Sequence, residues 1–234
     1  MLVSVVIGAL NEENYIGAAL ESARVQKTKH KIELVVGDGY SEDKTVAIAK
    51  KLGAKVALER NRSAAWERQA GAKIAKGDVI AFTDADAVLP PDWVENIARE
   101  FEKNKNLAMV YGPVCFSDAR RHERVASKIA ISFFLRAMSL FGMHNPIGSN
   151  MAVRRQWFEE AGGLNTALVT AEDLDLAKRM GKKGKVKYCA AVVANVSARR
   201  VKKWGYGRYI LFHLINGLRF QFRGKAVESY EPVR

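Results

Sequence analysis

Short apolar runs alternate with helix-like segments through the first half of the chain, and this alternation constrains the fold more than any other feature. Each apolar run predicts a strand, and in the segment after it apolar residues recur at helical spacing. The predicted strands cover residues 2–10, 32–36, 54–59 and 79–83, and the predicted helices cover 15–25, 43–52, 63–77 and 90–104. Such alternation predicts an α/β fold with a Rossmann-like, doubly wound and mostly parallel sheet flanked by helices.

The second half of the chain is less regular. Strands are predicted within residues 107–117 and 186–198, and a strand or turn leading into a helix is predicted within 145–163. Residues 125–143 are apolar but include Lys128 and Arg136, so their uncharged runs fall far short of the roughly 20 residues that span a bilayer. No transmembrane helix is therefore predicted.

The segment 125–143 has two open interpretations. It is rich in large apolar residues, which suit a helix packed in the core. The same residues, together with the charges of Lys128 and Arg136, also suit a helix lying on an anionic membrane surface. The apolar residues concerned are Phe133, Phe134, Leu140 and Phe141.

Polar residues follow three of the predicted parallel strands. Asn11 and Glu12 follow the first strand, Asp38 ends the second, and Asp84 and Asp86 follow the fourth. Ligands of open α/β sheets bind outside the carboxyl ends of the strands, so these residues predict one shared site. Two carboxylates on a tight turn suit a hard cation such as Mg²⁺ or Mn²⁺. Capping of the following helix would explain one of the two aspartates but not both.

The charge of the chain is concentrated in its second half. Residues 1–119 contain 16 basic and 17 acidic residues, whereas residues 120–234 contain 22 basic and 8 acidic residues. A basic half predicts an anionic partner, namely nucleic acid, a phospholipid surface or a phosphorylated substrate. A basic surface that serves only solubility is the alternative.

Cysteine usage and the N-terminal residues favour a cytoplasmic protein. Cys115 and Cys189 are too few for a disulfide framework or a zinc site, as expected in a reducing compartment. The first residues predict a strand rather than a signal peptide. The predicted location is the cytoplasm, with peripheral attachment to the inner face of the membrane as a further expectation.

An ordered series of motifs covers roughly residues 2–200. The motifs are NEE at 11–13, VVGDGYSEDKT at 35–45, RQAGAKIAKGDVIAFTDAD at 68–86, GSNMAVRRQWFEEAGGLN at 148–165 and EDLDLAKRMGKKG at 172–184. In this order and spacing the chain resembles the family 2 glycosyltransferases, which have the GT-A nucleotide-diphospho-sugar transferase fold. The resemblance implies an inverting enzyme that moves a sugar from a nucleotide-diphosphate donor to a hydroxyl acceptor, with Mn²⁺ or Mg²⁺ as cofactor.

The resemblance also implies which residues bind the nucleotide-sugar. Ala9 and Glu12 would lie beside the nucleobase, and Asn11 would belong to the same site. Asp38 would hydrogen-bond the base, and Arg68 would approach the ribose or the diphosphate.

Metal binding and catalysis are implied for two acidic pairs. Asp84 and Asp86 would serve the ribose and the metal, with Asp86 the more direct ligand. Glu172 and Asp173 would be the catalytic pair, and Asp173 would be the general base that takes a proton from the acceptor hydroxyl. A helix N-terminus also favours acidic residues in its first turn, and this remains the alternative for the second pair.

The C-terminal region combines basic and aromatic residues. Arg199 and Arg200 precede Trp204, Tyr206 and Tyr209, and are predicted to contribute to the nucleotide-sugar site by closing over the donor and neutralising the diphosphate. The expected organisation is a GT-A domain at 1–200, with a nucleotide-binding part at 1–115 and an acceptor-binding part at 116–200. A basic aromatic extension would follow at 201–234.

The sequence also bears on whether the enzyme is processive and on two alternative functions. The Gln-x-x-Arg-Trp pattern of processive synthases is missing, since RRVKKW stands at 199–204, so a non-processive enzyme with a glycan or lipid-linked acceptor is predicted. A nucleotidyltransferase would share the acidic turn and the nucleotide crevice. A nucleic-acid-binding module would use the basic half, but the acidic strand ends would repel phosphates unless a metal intervened.

Overall fold

The computed structural model of the chain describes residues 1–227, so the end of the predicted extension, 228–234, lies outside the described residues. The strands are β1 (Leu2–Ala9), β2 (Lys31–Asp38), β3 (Lys55–Leu58), β4 (Val79–Asp84), β5 (Leu107–Tyr111), β6 (Val114–Phe116), β7 (Met151–Arg154), β8 (Lys185–Tyr188) and β9 (Ala194–Val196). The helices are α1 (Ile16–Arg24), α2 (Thr45–Lys51), α3 (Ala64–Ile74), α4 (Trp93–Lys103), α5 (Arg121–Leu140), α6 (Arg155–Glu160), α7 (Glu172–Gly181), α8 (Arg199–Trp204) and α9 (Tyr206–Arg223).

Most of the strands form one mixed sheet in the order β3-β2-β1-β4-β7-β5-β8. Strand β7 runs antiparallel to its neighbours β4 and β5, and the other pairs of this sheet are parallel. Strands β6 and β9 form a separate parallel pair. The α/β class and the mostly parallel sheet predicted from the sequence are confirmed.

Both faces of the sheet are covered by helices. Val5 of β1 belongs to a buried cluster with Leu20 of α1 and Trp93 of α4. The next residue, Val6, belongs to a second cluster with Phe158 of α6, because successive strand residues point to opposite faces. Strands buried on both faces read as continuous apolar runs, which is why they stand out in the sequence.

Helix α3 packs unusually close to strand β2, and Gly37 makes this possible. A Cβ atom at Gly37 would lie 1.7 Å from the carbonyl oxygen of Glu67 in α3. We expect Gly37→Ala to lower the free energy of unfolding by about 3 kcal/mol, because helix and strand would have to separate. Urea unfolding followed by circular dichroism measures the loss.

A control for this substitution is Gly17→Ala in α1, where the added Cβ would meet its nearest neighbour at an ordinary 3.7 Å. Alanine is the better helix former, so this variant is expected to gain up to about 1 kcal/mol. Equal losses in the two variants would contradict the close approach as the cause.

Several predicted boundaries were wrong, and two of the errors involve a glycine that approaches backbone closely. Helix α3 ends at Ile74 rather than at Gly77, whose N–H donates to Ser4 Oγ at 2.8 Å. The predicted strand 107–117 is two strands in different sheets, because the chain turns at Gly112 against the carbonyl of Val192. The predicted strand 186–198 is likewise divided into β8 and β9.

The phenylalanine-rich segment forms α5, and most of its large apolar residues are not packed in the core. Leu135 is the buried residue of this helix. Phe133 and Leu140 are 75% and 80% exposed, and Phe141 just after the helix is 77% exposed. None of the helices within the described residues is both long enough and apolar enough to cross a bilayer.

Candidate functional site

The parallel strands bring the predicted site residues to one edge of the sheet. In the register of the central strands, Ala9 of β1 pairs with Asp38 of β2, and Gly8 of β1 pairs with Asp84 of β4. The carboxyl ends of three strands therefore lie side by side, as the α/β pattern predicted. Ala9 itself is buried, and its carbonyl oxygen accepts from the N–H of Gly39 at 2.9 Å.

Backbone strain is concentrated at the same place. Within residues 1–227, the non-glycine residues with positive φ are Asn11 (55°), Tyr40 (59°) and Ala171 (63°). The first two lie in the loops after β1 and β2, and the third immediately precedes the Glu172–Asp173 pair. Left-handed backbone at non-glycine residues costs about 1–3 kcal/mol and is typical of functional sites.

Arg68 joins two parts of the site from the centre of α3. Its Nη2 donates to Asp84 Oδ1 at 2.5 Å, and its Nη1 donates to Glu172 Oε1 at 2.8 Å. The arginine is only 5% exposed, and both carboxylates hold its pKa above the usual value. Gly148 lies against the guanidinium, where a Cβ would come within 2.7 Å of Nη1. The turn after strand β4 and the start of helix α7 are thus joined by the buried guanidinium of Arg68.

Arg199 joins the other acidic residues of the site. Its Nη1 and Nη2 donate to the two oxygens of Glu12 at 2.9 and 2.5 Å. Its Nε lies 3.0 Å from Asp86 Oδ2, and its guanidinium stacks 5.1 Å from the ring centre of Tyr15. The start of α8 therefore lies directly over the carboxyl ends of β1 and β4.

Asp84 and Asp86 fit a divalent cation by their chemistry. Burial and the negative charges of Asp84 and Glu12 raise the pKa of Asp86 to about 7, although Arg199 and Arg200 oppose this shift. A cation between these carboxylates would relieve the repulsion that raises the pKa. The described residues contain no group of three or more His, Cys, Asp or Glu side chains that could hold a metal ion. Phosphate and water oxygens would have to supply the remaining ligands, as is usual for Mg²⁺.

Asp173 is held at the start of α7 by backbone donors. Its Oδ2 accepts from the N–H of Gly148 at 2.9 Å, and its Oδ1 accepts from the N–H of Leu174 at 2.8 Å. Burial and the adjacent charge of Glu172 raise the pKa of Asp173 to about 7, with Arg68 acting in the opposite direction. A carboxylate with a pKa near 7 is well suited to take a proton at neutral pH.

Asp38 and Asn11 organise the loops of the site. Asp38 is fully buried, and its oxygens accept from the N–H and the Oγ of Ser41 at 2.7 and 2.6 Å. Ser41 Oγ in turn accepts from the N–H of Asn11, and Asn11 Oδ1 accepts from the N–H of Glu42. In this structure both residues bridge the loops after β1 and β2, which shapes the crevice in which the resemblance places the nucleobase.

Two residues of the site were not predicted from the sequence as binding residues. Tyr15 lies under Arg199 as described above. Burial raises the pKa of Tyr209 of α9, and although the charge of Arg200 lowers it, the charges of Asp84, Asp86 and Asp173 raise it as well. The sequence signal for Tyr209 was its position after a run of basic residues. No feature of the nearby sequence marks Tyr15 as a residue of the site.

A separate cavity of about 510 Å³ lies at the opposite end of α7 from Glu172. Its lining includes His144, Gly181 and Lys187. Because α7 is 10 residues long, this cavity is about 14 Å from the Glu172–Asp173 pair along the helix. The acidic crevice at the strand ends is therefore a different place from this cavity.

Solved structures confirm the GT-A fold. The mannosyltransferase PcManGT from Pyrobaculum calidifontis, solved in complex with GDP-Man and Mn²⁺, is similar with a TM-score of 0.71 at 23% identity, covering 96% of this chain and 65% of that one. Glucosyl-3-phosphoglycerate synthase from Mycobacterium tuberculosis, solved with Mn²⁺, UDP and glucosyl-3-phosphoglycerate, is similar with a TM-score of 0.62 at 21% identity, covering 92% and 79%. The fold class is that of nucleotide-diphospho-sugar transferases.

Sequence comparison shows the family. The family model described as glycosyl transferase family 2 matches residues 4–162, which is more than half of the chain. The chain belongs to glycosyl transferase family 2, as the ordered motifs predicted.

Curated relatives match most of this chain. An uncharacterized glycosyltransferase of Haemophilus influenzae is 28% identical over 76% of this chain and 62% of its own length. The glucosyl-dolichyl phosphate glucuronosyltransferase of Haloferax volcanii is 31% identical over 71% and 56%. The chain therefore spans somewhat more than half the length of these relatives.

Proposed function

We propose that this chain is an inverting, metal-dependent, non-processive glycosyltransferase that moves a sugar from a nucleotide-diphosphate donor to a hydroxyl acceptor. The observation that carries the proposal is the convergence of two acidic pairs on one buried arginine. Arg68 contacts Asp84 at the predicted donor end and Glu172 at the predicted acceptor end. Family membership favours this function over a nucleotidyltransferase or a nucleic-acid-binding module.

The donor would bind at the carboxyl ends of β1, β2 and β4. Asp84 and Asp86 are the residues that would hold a divalent cation, which when bound would offset the charge of the diphosphate. Arg199 lies 3.0 Å from Asp86 and the charge of Arg200 lowers the pKa of the same carboxyl, so both arginines would interact with the phosphates once the donor is present. Asp38 and Asn11 would fix the loops that receive the nucleobase.

In the transfer step, Asp173 would accept the proton of the acceptor hydroxyl. The acceptor oxygen would form a bond to the anomeric carbon while the bond from that carbon to the diphosphate breaks. Displacement from the opposite face inverts the anomeric centre. The N–H groups of Gly148 and Leu174 each donate to one oxygen of Asp173 and hold its carboxylate in place. The carboxylate therefore does not have to be reoriented during transfer.

The proposed acceptor is lipid-linked, and the proposed location is the inner face of the membrane. The support is the exposed apolar surface of α5 and the lipid-linked substrate named for one relative, the glucosyl-dolichyl phosphate glucuronosyltransferase. A single transfer is proposed because the stretch 199–204 lacks the glutamine of processive synthases.

Calorimetric titration with UDP, GDP, dTDP and CMP, each with and without Mn²⁺, tests the donor site. We expect one nucleotide to bind in a metal-dependent way. Asp86→Asn is expected to weaken that binding by at least about tenfold, because the metal loses a charged ligand. Asp92→Asn, at an exposed aspartate shortly after the same turn, is the matched control and is expected to bind like the wild type.

Absence of nucleotide binding by the wild type would contradict the proposed function. Equal nucleotide binding by the wild type and Asp86→Asn would show that the acidic turn only caps the following helix. The nucleoside that binds would identify the class of donor.

A further inference from the structure

The outer face of helix α5 carries a stripe of exposed apolar residues. Val125, Ile129 and Phe133 follow one another at intervals of one helical turn and Leu140 follows two turns later, and they are 50%, 64%, 75% and 80% exposed. The opposite side of the helix carries Leu135, which is buried. A stripe this apolar on the outside of a helix indicates a surface that another phase or partner covers.

Helix α9 carries a second stripe of the same kind. Its inner side carries Asn216 and Phe220, which are buried. Its outer side presents large apolar residues that are between 37% and 74% exposed. These residues are Ile210, Leu211, Leu214, Ile215, Leu218 and Phe222.

Helices α5 and α9 are linked near the end of α9 and at one buried cluster. Gln221 Nε2 of α9 donates to the carbonyl of His144, in the segment that follows α5, at 3.0 Å. Ile131 of α5 and the tyrosines of α9 pack against one buried cluster. With 20 and 18 residues, the helices are about 30 and 27 Å long, and each keeps its apolar stripe exposed.

Basic residues accompany both stripes. Helix α5 has one acidic residue, Glu123, and helix α9 has none. Their basic residues are Arg121, Arg124, Lys128 and Arg136 on α5, and Arg208, Arg219 and Arg223 on α9. Two copies of this face would repel each other, whereas an anionic surface would attract it.

We propose that α5 and α9 together form one docking face for an anionic lipid bilayer, with their apolar stripes in the interface and their basic residues at the headgroups. Amphipathic helices of this composition lie in the plane of the membrane rather than across it. Attachment through two helices would fix the orientation of the protein as well, because a single helix would allow rotation about its axis.

Docking would place the acceptor end of the site near the bilayer. Asn216 of α9 donates to Thr170 Oγ1 at 3.2 Å, and Thr170 stands just before the Glu172–Asp173 pair. Lys178 of α7 donates to the carbonyl of Phe220 in α9 at 3.1 Å. The docking face itself does not depend on donor chemistry, but its use in presenting a lipid-linked acceptor to Asp173 rests on the function proposed above.

Vesicle flotation of the full chain tests this docking face. Vesicles contain phosphatidylcholine alone, or phosphatidylcholine with about one third phosphatidylglycerol to supply negative charge. We expect the wild type to float with the anionic vesicles only, and added salt to weaken the binding. The double variant Phe133→Ser/Ile215→Ser is expected to lower the partition coefficient by about tenfold or more.

The controls separate apolar insertion, charge and folding. Leu58→Ser removes a comparably exposed apolar residue (52%) from the edge strand β3 and is expected to float like the wild type. Arg136→Gln/Arg219→Gln is expected to reduce binding to anionic vesicles while circular dichroism stays unchanged. Nucleotide titration of the same variants is expected to match the wild type.

Three results would overturn the docking face. The first is a wild type that does not float with anionic vesicles. The second is flotation that neither double variant reduces. The third is a dimer in sedimentation equilibrium that Phe133→Ser/Ile215→Ser dissociates, which would make a second copy the occupant. Flotation without any nucleotide binding would instead contradict the proposed function and leave the docking face standing.

Discussion

Replacing Asp173 by asparagine is expected to reduce kcat by about 10²–10⁴-fold while donor binding stays within about twofold of the wild type. Asparagine keeps the shape of the side chain and one acceptor oxygen, but it cannot take a proton. Single-turnover transfer assays measure the loss, and nucleotide titration measures the donor affinity. A structural capping role would predict the opposite pattern, with lower stability and little change in turnover of the folded fraction.

The pH dependence gives a second readout for Asp173. The pKa of this carboxyl is raised to about 7, so the base is protonated and inactive below that value. We expect kcat of the wild type to rise as the pH increases through about 7 and then to level off. Asp175→Asn on the same helix is the control, because Asp175 pairs with Arg179 at 2.7 Å and is expected to keep the wild-type profile.

Replacing Arg68 by methionine is expected to lower the free energy of unfolding by about 3–5 kcal/mol at alkaline pH. Methionine fills a similar volume but leaves Asp84 and Glu172 without their shared cation. Arg68 also lowers the pKa of Asp173, so its removal is expected to raise the pKa of that carboxyl further above about 7. The added loss of stability is therefore present at alkaline pH and shrinks as the pH falls through about 7.

Thermal unfolding of this variant at several pH values measures the deficit. Arg68→Lys is the matched control, since lysine keeps the charge but cannot contact both carboxylates with a rigid fork. It is expected to lose less stability than methionine and to show a weaker pH dependence. A methionine variant as stable as the wild type at alkaline pH would contradict the role of Arg68 as a buried counterion.

The first half of the fold was predictable because its signals are local. The apolar run of β4 and the polar residues after it follow directly from side-chain alternation and strand length. The position of Asp84 beside Gly8 follows in turn from parallel pairing. These features depend on few residues, so a single sequence contains enough information to identify them.

The contacts within the site were not predictable, because they join residues that are distant in the sequence. Nothing around Arg68 indicates that it reaches Glu172, and nothing around Glu12 indicates Arg199. The left-handed conformation of Ala171 is equally hidden, since alanine gives no turn signal. The exposure of Phe133 could not be decided either, because an apolar helical stripe looks the same whether a core or another surface covers it.

The position of β7 has a consequence for how the chain folds. Residues 151–154 supply the strand between β4 and β5, so the sheet is completed only when a late segment inserts between two earlier ones. Residues 1–115 alone hold the continuous sheet β3-β2-β1-β4, but β5 joins that sheet only through β7. Contacts between such distant segments slow folding, and they make the completed sheet depend on both halves of the chain.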